Sequence, residues 1–288
     1  MYTFSNKLRL GSFIAMGLGF VFLVIGFISA PSTVEEAKAM VAVHDDGHGG
    51  GHAEAATESH GDQGHGAEAS HGEEHDSSHD EHLLSQLKNR PWSALYVAAF
   101  FFFMISLGVL AFYAIQRAAQ AGWSPLLFRV MEGITAYLVP GGIIVFVILL
   151  LSAMHMNHLF VWMDSEVVAH DELLQGKAGY LNPTFFLIRA AIFLGGWIFY
   201  RQYSRKLSLA QDESDDNTNF VKNFRWSAGF LVFYLVTESM MSWDWIMSVD
   251  PHWFSTLFGW YVFASMFVSG ITVIAMVTVY LKSKGYLE

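Results

Sequence analysis

Apolar and polar residues follow one another along the chain in long blocks. Six apolar blocks are about twenty residues long, enough for a helix to span the ~30 Å hydrocarbon core of a bilayer. This pattern predicts an all-α integral membrane protein with six transmembrane helices. The predicted spans are 11–30, 92–115, 134–154, 181–200, 226–247 and 257–281.

The first apolar block has two interpretations, a secretory signal peptide or a transmembrane helix. It is longer than the roughly 7–15 residues of a signal-peptide core. Ile28 is also poorly suited to the position two residues before a cleavage end at Ala30. We therefore expect 1–30 to be an uncleaved N-terminal transmembrane helix.

The connections between the predicted spans alternate in charge. Basic residues precede the first span, separate spans two and three and spans four and five, and follow the sixth: Lys7, Arg9, Arg117, Arg129, Arg201, Arg205, Lys206, Lys222, Arg225, Lys282 and Lys284. The positive-inside rule then predicts that both ends of the chain are cytoplasmic and that 31–91, 155–180 and 248–256 face the periplasm or exterior. An aromatic belt at these borders is expected from Trp92, Trp123, Trp226, Trp243, Trp245, Trp253 and Trp260.

The connection 31–90 forms a separate acidic segment. Residues 44–82 within it are of low complexity, rich in His, Gly, Asp and Glu, and too poor in apolar side chains to offset the entropy of ordering. We predict disorder there. Imidazole and carboxylate groups also suit zinc, copper or nickel, so metal collection is an alternative to a solvated loop. The rest, 91–288, is predicted to be a five-helix membrane domain.

Charge and cysteine content exclude several functions. The net charge of −10 is concentrated in 31–87, and no basic stripe exists to neutralise phosphates, so nucleic acid is not an expected partner. The chain has no cysteine, which excludes disulfides, thiolate-bound iron–sulfur clusters and c-type haem attachment within it. Electron carriers of those kinds would have to lie on partner proteins.

Three ionisable residues lie inside predicted spans, where each costs about 2.5–3.5 kcal/mol on insertion scales. Arg189 is in the fourth span, and Glu238 and Asp244 are in the fifth. Their spacing places the two carboxylates on different helix faces, and by depth Arg189 is within reach of either. The interpretations are a structural ion pair, or a proton relay or polar ligand-site wall.

His155 and His158 lie at the outer end of the third predicted span. Their i, i+3 spacing would place both rings on one helix face, which suits a metal pair but provides no third ligand. No other predicted span contains a histidine, so axial haem ligation is not expected. A hydrogen bond to a quinone oxygen and a simple water-facing position both remain open.

The segment 242–255 combines carboxylate, imidazole and indole groups at the predicted outer face. Asp250-Pro251 predicts a turn and a helix start, with Asp250 as the N-cap. Asp244, Asp250 and His252 would then gather at one level of the membrane. We regard them as candidates for a proton path or the lining of a quinone site.

This segment also carries a family resemblance. The run Asp244-Trp-Ile-Met-Ser-Val-Asp-Pro-His-Trp-Phe-Ser-Thr-Leu-Phe-Gly259 resembles a signature of the membrane subunits of alternative complex III, the bacterial quinol:cytochrome c or quinol:oxidase oxidoreductase. Pro91-Trp-Ser, Ala121-Gly-Trp-Ser124 and Lys177-x-x-Tyr-Leu-Asn182 fit the same family. Together these motifs cover most of 90–288. The F subunit (ActF) is the most similar, followed by the C subunit.

The resemblance implies four-helix-bundle packing, similar to polysulfide-reductase NrfD-type proteins, in the bacterial inner (cytoplasmic) membrane. Such subunits bind menaquinol or ubiquinol or conduct protons, while partner subunits carry iron–sulfur clusters and multiple c-type haems. A paralogous NrfD-like subunit and membrane lipid are further expected partners, and no cofactor is expected on this chain itself. Family members have more helices, so 91–288 is expected to be truncated relative to its family.

The resemblance leaves the catalytic residues unassigned, and the candidates for a proton path or quinone site are those found above: His155, His158, Arg189, Glu238, Asp244, Asp250 and His252. Two functions of other classes compete with the respiratory one. The first is a divalent-cation transporter that uses the histidine-rich segment as a sensor. The second is a structural anchor that holds peripheral redox subunits in the membrane.

Overall fold

A computed structural model describes residues 6–45 and 72–287, with side chains for 6–41 and 83–287. The described chain is helical and contains no strand. Its α-helices are α1 Asn6–Ile28, α2 Val34–Asp45, α3 Gly72–Ala118, α4 Phe128–Ile134, α5 Leu138–Ala153, α6 Ser165–Ala169, α7 Glu172–Lys177, α8 Pro183–Asp212, α9 Thr218–Met241 and α10 Phe258–Ser283. Short 3-10 turns occupy Ser124–Leu127, Thr135–Tyr137, Val161–Met163 and Met247–Val249, and Ser242–Ile246 is a π-helix.

Five helical stretches are long and apolar enough to cross a membrane: Asn6–Ile28, Leu83–Ala118, Ser124–Ala153, Pro183–Asp212 and Phe258–Ser283. The chain is therefore a helical membrane protein. Helix α9, which contains most of the predicted fifth span, does not reach the same hydropathy because polar residues such as Asn223, Ser227 and Glu238 interrupt its apolar sequence.

Most of the predicted disordered segment, 44–82, lies outside the described residues. Where the backbone is described, at 44–45 and 72–82, it is helical. Disorder of the segment as a whole stays a prediction. The α3 helix begins at Gly72, well before its apolar part, instead of at the membrane border. The metal-collecting alternative also concerns residues outside the described ranges.

The chain divides into two compact units, 1–95 and 96–288. In the first unit, the rings of Phe27 and Trp92 meet edge to face with centroids 4.9 Å apart. At the start of α2, the backbone N–H and the hydroxyl of Ser32 both donate to the Glu36 carboxylate at 2.8 Å. Those bonds fix the turn between α1 and α2.

In the second unit, α8 and α9 run antiparallel and in close contact. Arg189 near the start of α8 pairs with Asp244 beyond the end of α9, whereas Ser204, later in α8, bonds Asn223 near the start of α9. Midway, a Cβ at Gly196 would lie 2.4 Å from the Phe233 ring, so glycine allows this close packing. Polar side chains of α9 therefore face α8.

The core of this unit is aromatic. Trp245 is fully buried and lies 6.0–6.3 Å, centroid to centroid, from four rings that belong to Phe100, Phe103, Phe193 and Trp197. The assignment of Trp245 to an interfacial belt is therefore wrong, because its indole packs inside the protein. Trp123, Trp253 and Trp260 are exposed, as an aromatic belt requires.

Candidate functional site

A cavity of about 540 Å³ opens at the predicted outer side of the second unit. Its walls come from the segment that ends at the start of α8 and from the segment that links α9 to α10. The lining residues are Leu173, Gly176, Lys177, Tyr180, Leu181, Trp243, Met247, Ser248, Pro251, Trp253 and Phe254. An aromatic wall with a few polar groups is typical of small-molecule sites, and the volume falls in their roughly 300–1,000 Å³ range.

One wall of the cavity is formed where α9 gives way to the π-helix Ser242–Ile246. Single π turns within α-helices are frequent at functional sites, because they redirect side chains and free backbone groups. Here the Tyr96 hydroxyl donates to the Trp245 carbonyl at 2.7 Å, and the Ser248 hydroxyl donates to the Asp244 carbonyl at 2.5 Å. These bonds satisfy carbonyls that the irregular turn releases and fix Asp244 behind the cavity.

Asp244 forms a buried ion pair with Arg189. Arg189 Nε donates to Asp244 Oδ2 at 2.6 Å and Nη2 donates to Oδ1 at 3.0 Å, a bidentate geometry with the Asp244 side chain fully buried. Of the two carboxylates predicted within reach of Arg189, the structure pairs it with Asp244. Bidentate guanidinium–carboxylate contacts are among the strongest side-chain hydrogen bonds and fix both groups.

Tyr180 connects this ion pair to the cavity. The Arg189 guanidinium lies 3.9 Å from the Tyr180 ring centroid and donates from Nη1 to the Tyr180 carbonyl at 3.0 Å. The Tyr180 hydroxyl is buried close to the Asp244 carboxylate. Burial, followed by the negative charge of Asp244, raises the pKa of Tyr180, so this hydroxyl keeps its proton.

Glu238 lies near the end of α9, six residues before Asp244. Its side chain is 3% exposed, and its Oε1 atom has no hydrogen-bond partner among the described residues. Burial of a charged carboxylate oxygen without a partner costs free energy. Such a group is therefore expected to be protonated or to have a functional role. Glu238 is therefore distinct from Asp244, whose carboxylate oxygens are satisfied by Arg189.

His252 and Asp250 flank Pro251, which lines the cavity, and the two side chains make different contacts. His252 Nε2 is 2.6 Å from Oδ2 of Asp171, the N-cap of α7, so this contact joins the connection before α8 to the connection after α9. Asp250 accepts the His252 backbone N–H at 3.3 Å in a local turn. The prediction that Asp250 caps the following helix is wrong, because α10 begins only at Phe258 and its N-cap is Leu257.

His155 and His158 are not on a helix face. Helix α5 ends at Ala153, and His155 adopts the left-handed conformation with φ 58°. Its N–H bonds the Ser152 carbonyl and that of Met156 bonds the Leu151 carbonyl, the paired contacts of a Schellman motif. The expected i, i+3 histidine pair is therefore wrong, and both side chains are exposed.

A second polar cluster, at the predicted cytoplasmic end, escaped the sequence analysis. Glu132 in α4 is 4% exposed. Its carboxylate accepts hydrogen bonds from Arg129 Nη1 at 2.6 Å and from the Tyr113 hydroxyl at 3.1 Å. Arg117 lies 3.9 Å from the same carboxylate and 4.0 Å from the Phe128 ring centroid. The sequence signal for this cluster is Glu132, a single acidic residue close to Arg117 and Arg129. The positive-inside rule treats those arginines only as charges that flank a span.

Taken together, the outer site is an aromatic cavity backed by one buried ion pair and one protonated tyrosine. Within the described ranges, no group of three or more His, Cys, Asp or Glu side chains could hold a metal ion. No protein-family model matches this chain, and no curated protein matches its sequence significantly.

Proposed function

We propose that this chain is a non-haem membrane subunit of a respiratory quinol:electron-acceptor oxidoreductase, alternative complex III, that supports quinol oxidation or proton translocation. The single observation that carries the proposal is the aromatic outer cavity, whose wall includes part of the 244–259 run and which Tyr180 connects to the Arg189–Asp244 pair. That run is also the one that resembles the family. The sequence motif and the cavity wall therefore share residues within 247–254.

The proposal includes six spans in the bacterial inner membrane, with both chain ends cytoplasmic and 31–91, 155–180 and 248–256 outside. Helix α9 accompanies α8 from Asn223 to the Arg189–Asp244 contact, and α8 is itself long and apolar enough to span. Three of the polar groups that lower the hydropathy of α9, Asn223, Ser227 and Thr237, bond side chains of α8, so they need not contact lipid. Four-helix-bundle packing belongs to the same proposal.

The cavity suits a quinol head group in size and chemistry. Its indole and phenyl rings, from Trp243, Trp253 and Phe254, offer flat apolar surfaces, while Tyr180 and Lys177 provide polar groups. Oxidation of a quinol to a quinone releases two electrons and two protons. The electrons would pass to iron–sulfur clusters and c-type haems on partner subunits, and the protons would leave toward the outer side.

The residues of the chain have distinct parts in this scheme. Arg189 and Asp244 would hold the π-helix and Tyr180 in place, so they position the site. Glu238, buried with a free oxygen, would be the group that takes up or passes on a proton between mid-membrane and a surface. His252 and Asp171 would join the two outer segments over the cavity rim.

A structural anchor is the second candidate, and one observation favours it. The Arg189–Asp244 pair is satisfied on both carboxylate oxygens and fully buried, as expected for a contact that fixes helix packing. An anchor would hold the redox partners, a paralogous NrfD-like subunit and lipid without binding quinol. A cation transporter gains no support from the described residues.

Gly176→Leu tests the cavity directly. Gly176 lines it, and a Cβ there meets nothing within 4 Å, so the backbone position admits a longer side chain that would occupy part of the cavity. Gly179→Leu is the matched control, because Gly179 is also unobstructed but does not line the cavity. In the purified complex, Gly176→Leu should reduce quinol-dependent reduction of the acceptor at least about tenfold, and Gly179→Leu should not.

Glu238→Gln tests the proton role separately from quinol binding. The substitution preserves shape and removes the ionisable group, so electron transfer should persist while proton movement into liposomes falls. Equal turnover in Gly176→Leu and Gly179→Leu would refute the quinol site. If Glu238→Gln also moved protons normally, the anchor function would be the better description.

A further inference from the structure

A second cavity lies on the exposed surface of the α8–α9 pair, away from the proposed quinol site. It has a volume of about 430 Å³ and is open along one side. Its lining is apolar and aromatic except for one charged residue: Gly196, Phe199, Tyr200, Arg225, Trp226, Gly229, Phe230 and Phe233. We call it the α8–α9 groove.

The floor of the α8–α9 groove is shaped by a glycine. A Cβ at Gly229 would meet no atom within 4 Å, so nothing in the described chain occupies that space. The rings around it are held in place by their own contacts: Tyr200 stacks on Phe230 at 3.9 Å, and Trp226 packs 5.8 Å from Phe199. The groove is therefore a preformed depression.

The charge at one end is uncompensated. Arg225 is exposed and forms no ion pair or hydrogen bond among the described residues, and Lys222 lies one helical turn before it. Arg201, Arg205 and Lys206 add to the positive charge at the same end of α8. A ligand that follows the groove should consequently have an anionic group at the Arg225 end.

The length of the groove matches one leaflet of a bilayer. Arg225 and Phe233 are eight residues apart on α9, which is about 12 Å at 1.5 Å per residue. Half of a ~30 Å hydrocarbon core is about 15 Å. With Trp226 at headgroup depth, Arg225 would lie at the phosphate layer and Phe233 near the middle of the membrane.

We propose that the α8–α9 groove is a binding site for one anionic phospholipid of the cytoplasmic leaflet, with an acyl chain along Gly229 and Phe230 and its phosphate on Arg225. Guanidinium groups bind phosphate through two parallel hydrogen bonds, which a lipid phosphate can accept and a hydrophobic helix cannot. Charge complementarity thus favours lipid over a neighbouring transmembrane helix as the occupant.

Native mass spectrometry of the full chain, purified in detergent and exposed to equal amounts of phosphatidylglycerol and phosphatidylcholine, tests this site. The wild-type protein should retain one phosphatidylglycerol in preference to phosphatidylcholine. Arg225→Gln should weaken phosphatidylglycerol retention about tenfold and abolish the preference, and Arg225→Lys should restore part of it. Gly229→Leu should abolish retention of both lipids at this site.

Matched controls separate the site from general effects. Lys282→Gln removes a cation from the end of α10 at the same predicted membrane face, and Gly195→Leu adds an equal side chain on α8 where a Cβ meets nothing within 4 Å. Both should bind phosphatidylglycerol like wild type. Equal retention of the two lipids by wild type, or equal loss in the controls, would overturn the proposal. So would a dimer that Gly229→Leu disrupts while lipid retention is unchanged.

Discussion

At the scale of single residues, the outer site depends on how two buried charges satisfy each other. The Asp244 side chain is fully enclosed, and its oxygens accept from Arg189 Nε and Nη2 at 2.6 and 3.0 Å. Arg189 is further surrounded by the rings of Tyr180 and Phe185. Removal of either charge leaves the other buried without compensation, so stability and site geometry depend on the same contact.

Asp244→Asn should therefore destabilise the protein by about 3–5 kcal/mol, because it leaves the Arg189 guanidinium charged and buried. Arg189→Met should cost a similar free energy of unfolding. The double variant Arg189→Met/Asp244→Asn should be less destabilised than the sum of the two, since neither charge remains. Unfolding with SDS in mixed micelles measures all three, and strict additivity would contradict the coupling.

His155→Gly should stabilise the protein by about 0.5–1 kcal/mol. His155 holds a left-handed backbone conformation at the end of α5, and glycine adopts that conformation without the steric cost of a Cβ. The same unfolding measurement checks this, with exposed His170→Gly as the comparison because His170 has no positive φ. A loss of quinol turnover in His155→Gly would instead indicate a role for the imidazole.

The sequence predicted the buried ion pair in part, but it did not predict the Glu132 cluster. The depth of Arg189 in its span limited its partners to Glu238 or Asp244, because few ionisable groups lie at that level. It could not choose between them, since the choice depends on the π-helix that turns Asp244 toward α8. Glu132 was missed because its partners come from α3, α4 and α8, which only the tertiary fold brings together.

At the scale of elements, glycines set how closely helices approach. A Cβ on Gly108 of α3 would lie 2.4 Å from the Met266 carbonyl oxygen of α10, and one on Gly270 would lie 3.0 Å from the Val109 nitrogen. Both obstacles are backbone atoms, which cannot move aside like a flexible side chain. The α3–α10 contact thus requires two small residues in register.

Gly108→Ala should consequently destabilise the protein by about 1–3 kcal/mol through overpacking. Gly195→Ala, on α8, should have the opposite sign, a gain of about 0.5–1 kcal/mol, because its Cβ meets no atom and alanine is the better helix former. Thermal unfolding of the two variants in one detergent gives the comparison. Equal effects would mean that α3 and α10 do not pack in this register.

The short helix α7 offers a pH-dependent element outside the membrane. Asp171 accepts the N–H groups of Leu173 and Leu174 and contacts His252, and these interactions, led by the Leu174 bond, lower the pKa of Asp171. A lowered folded-state pKa means that the cap contributes stability above the unfolded pKa, about 3.9, and loses it as pH falls through the folded value.

Amide hydrogen exchange should accordingly show that protection of Leu173 and Leu174 persists at pH 6 and declines below about pH 4. Asp171→Asn should remove this pH dependence, because asparagine also caps helices but does not titrate. Asp171→Ala should lose protection at every pH. Protection that falls in Asp171→Asn over the same pH range would assign the effect to another group.

At the scale of the whole molecule, the pattern of apolar blocks was sufficient for the fold class and most spans. Its one ambiguity is α9, because hydropathy counts every polar residue alike, whether it faces lipid or another helix. Thr237 accepts the Trp197 indole N–H at 3.0 Å, and Ser227 and Tyr200 bond at 2.7 Å. Polar groups that bond α8 lower the hydropathy of α9 although they do not themselves face lipid.

Whether α9 crosses the membrane decides between five and six spans. The sequence contains no cysteine, so a single engineered cysteine is the only thiol that can react with a labelling reagent. Glu166→Cys, Asp215→Cys and Phe254→Cys place single thiols on exposed positions in the connections before α8, between α8 and α9, and after α9. With six spans, a membrane-impermeant maleimide should label Glu166→Cys and Phe254→Cys in intact cells. Asp215→Cys should react only after the membrane is permeabilised. If α9 did not cross, Phe254→Cys would instead react together with Asp215→Cys, and the two walls of the outer cavity, one before α8 and one after α9, would lie on opposite sides of the membrane, which contradicts a quinol site between them.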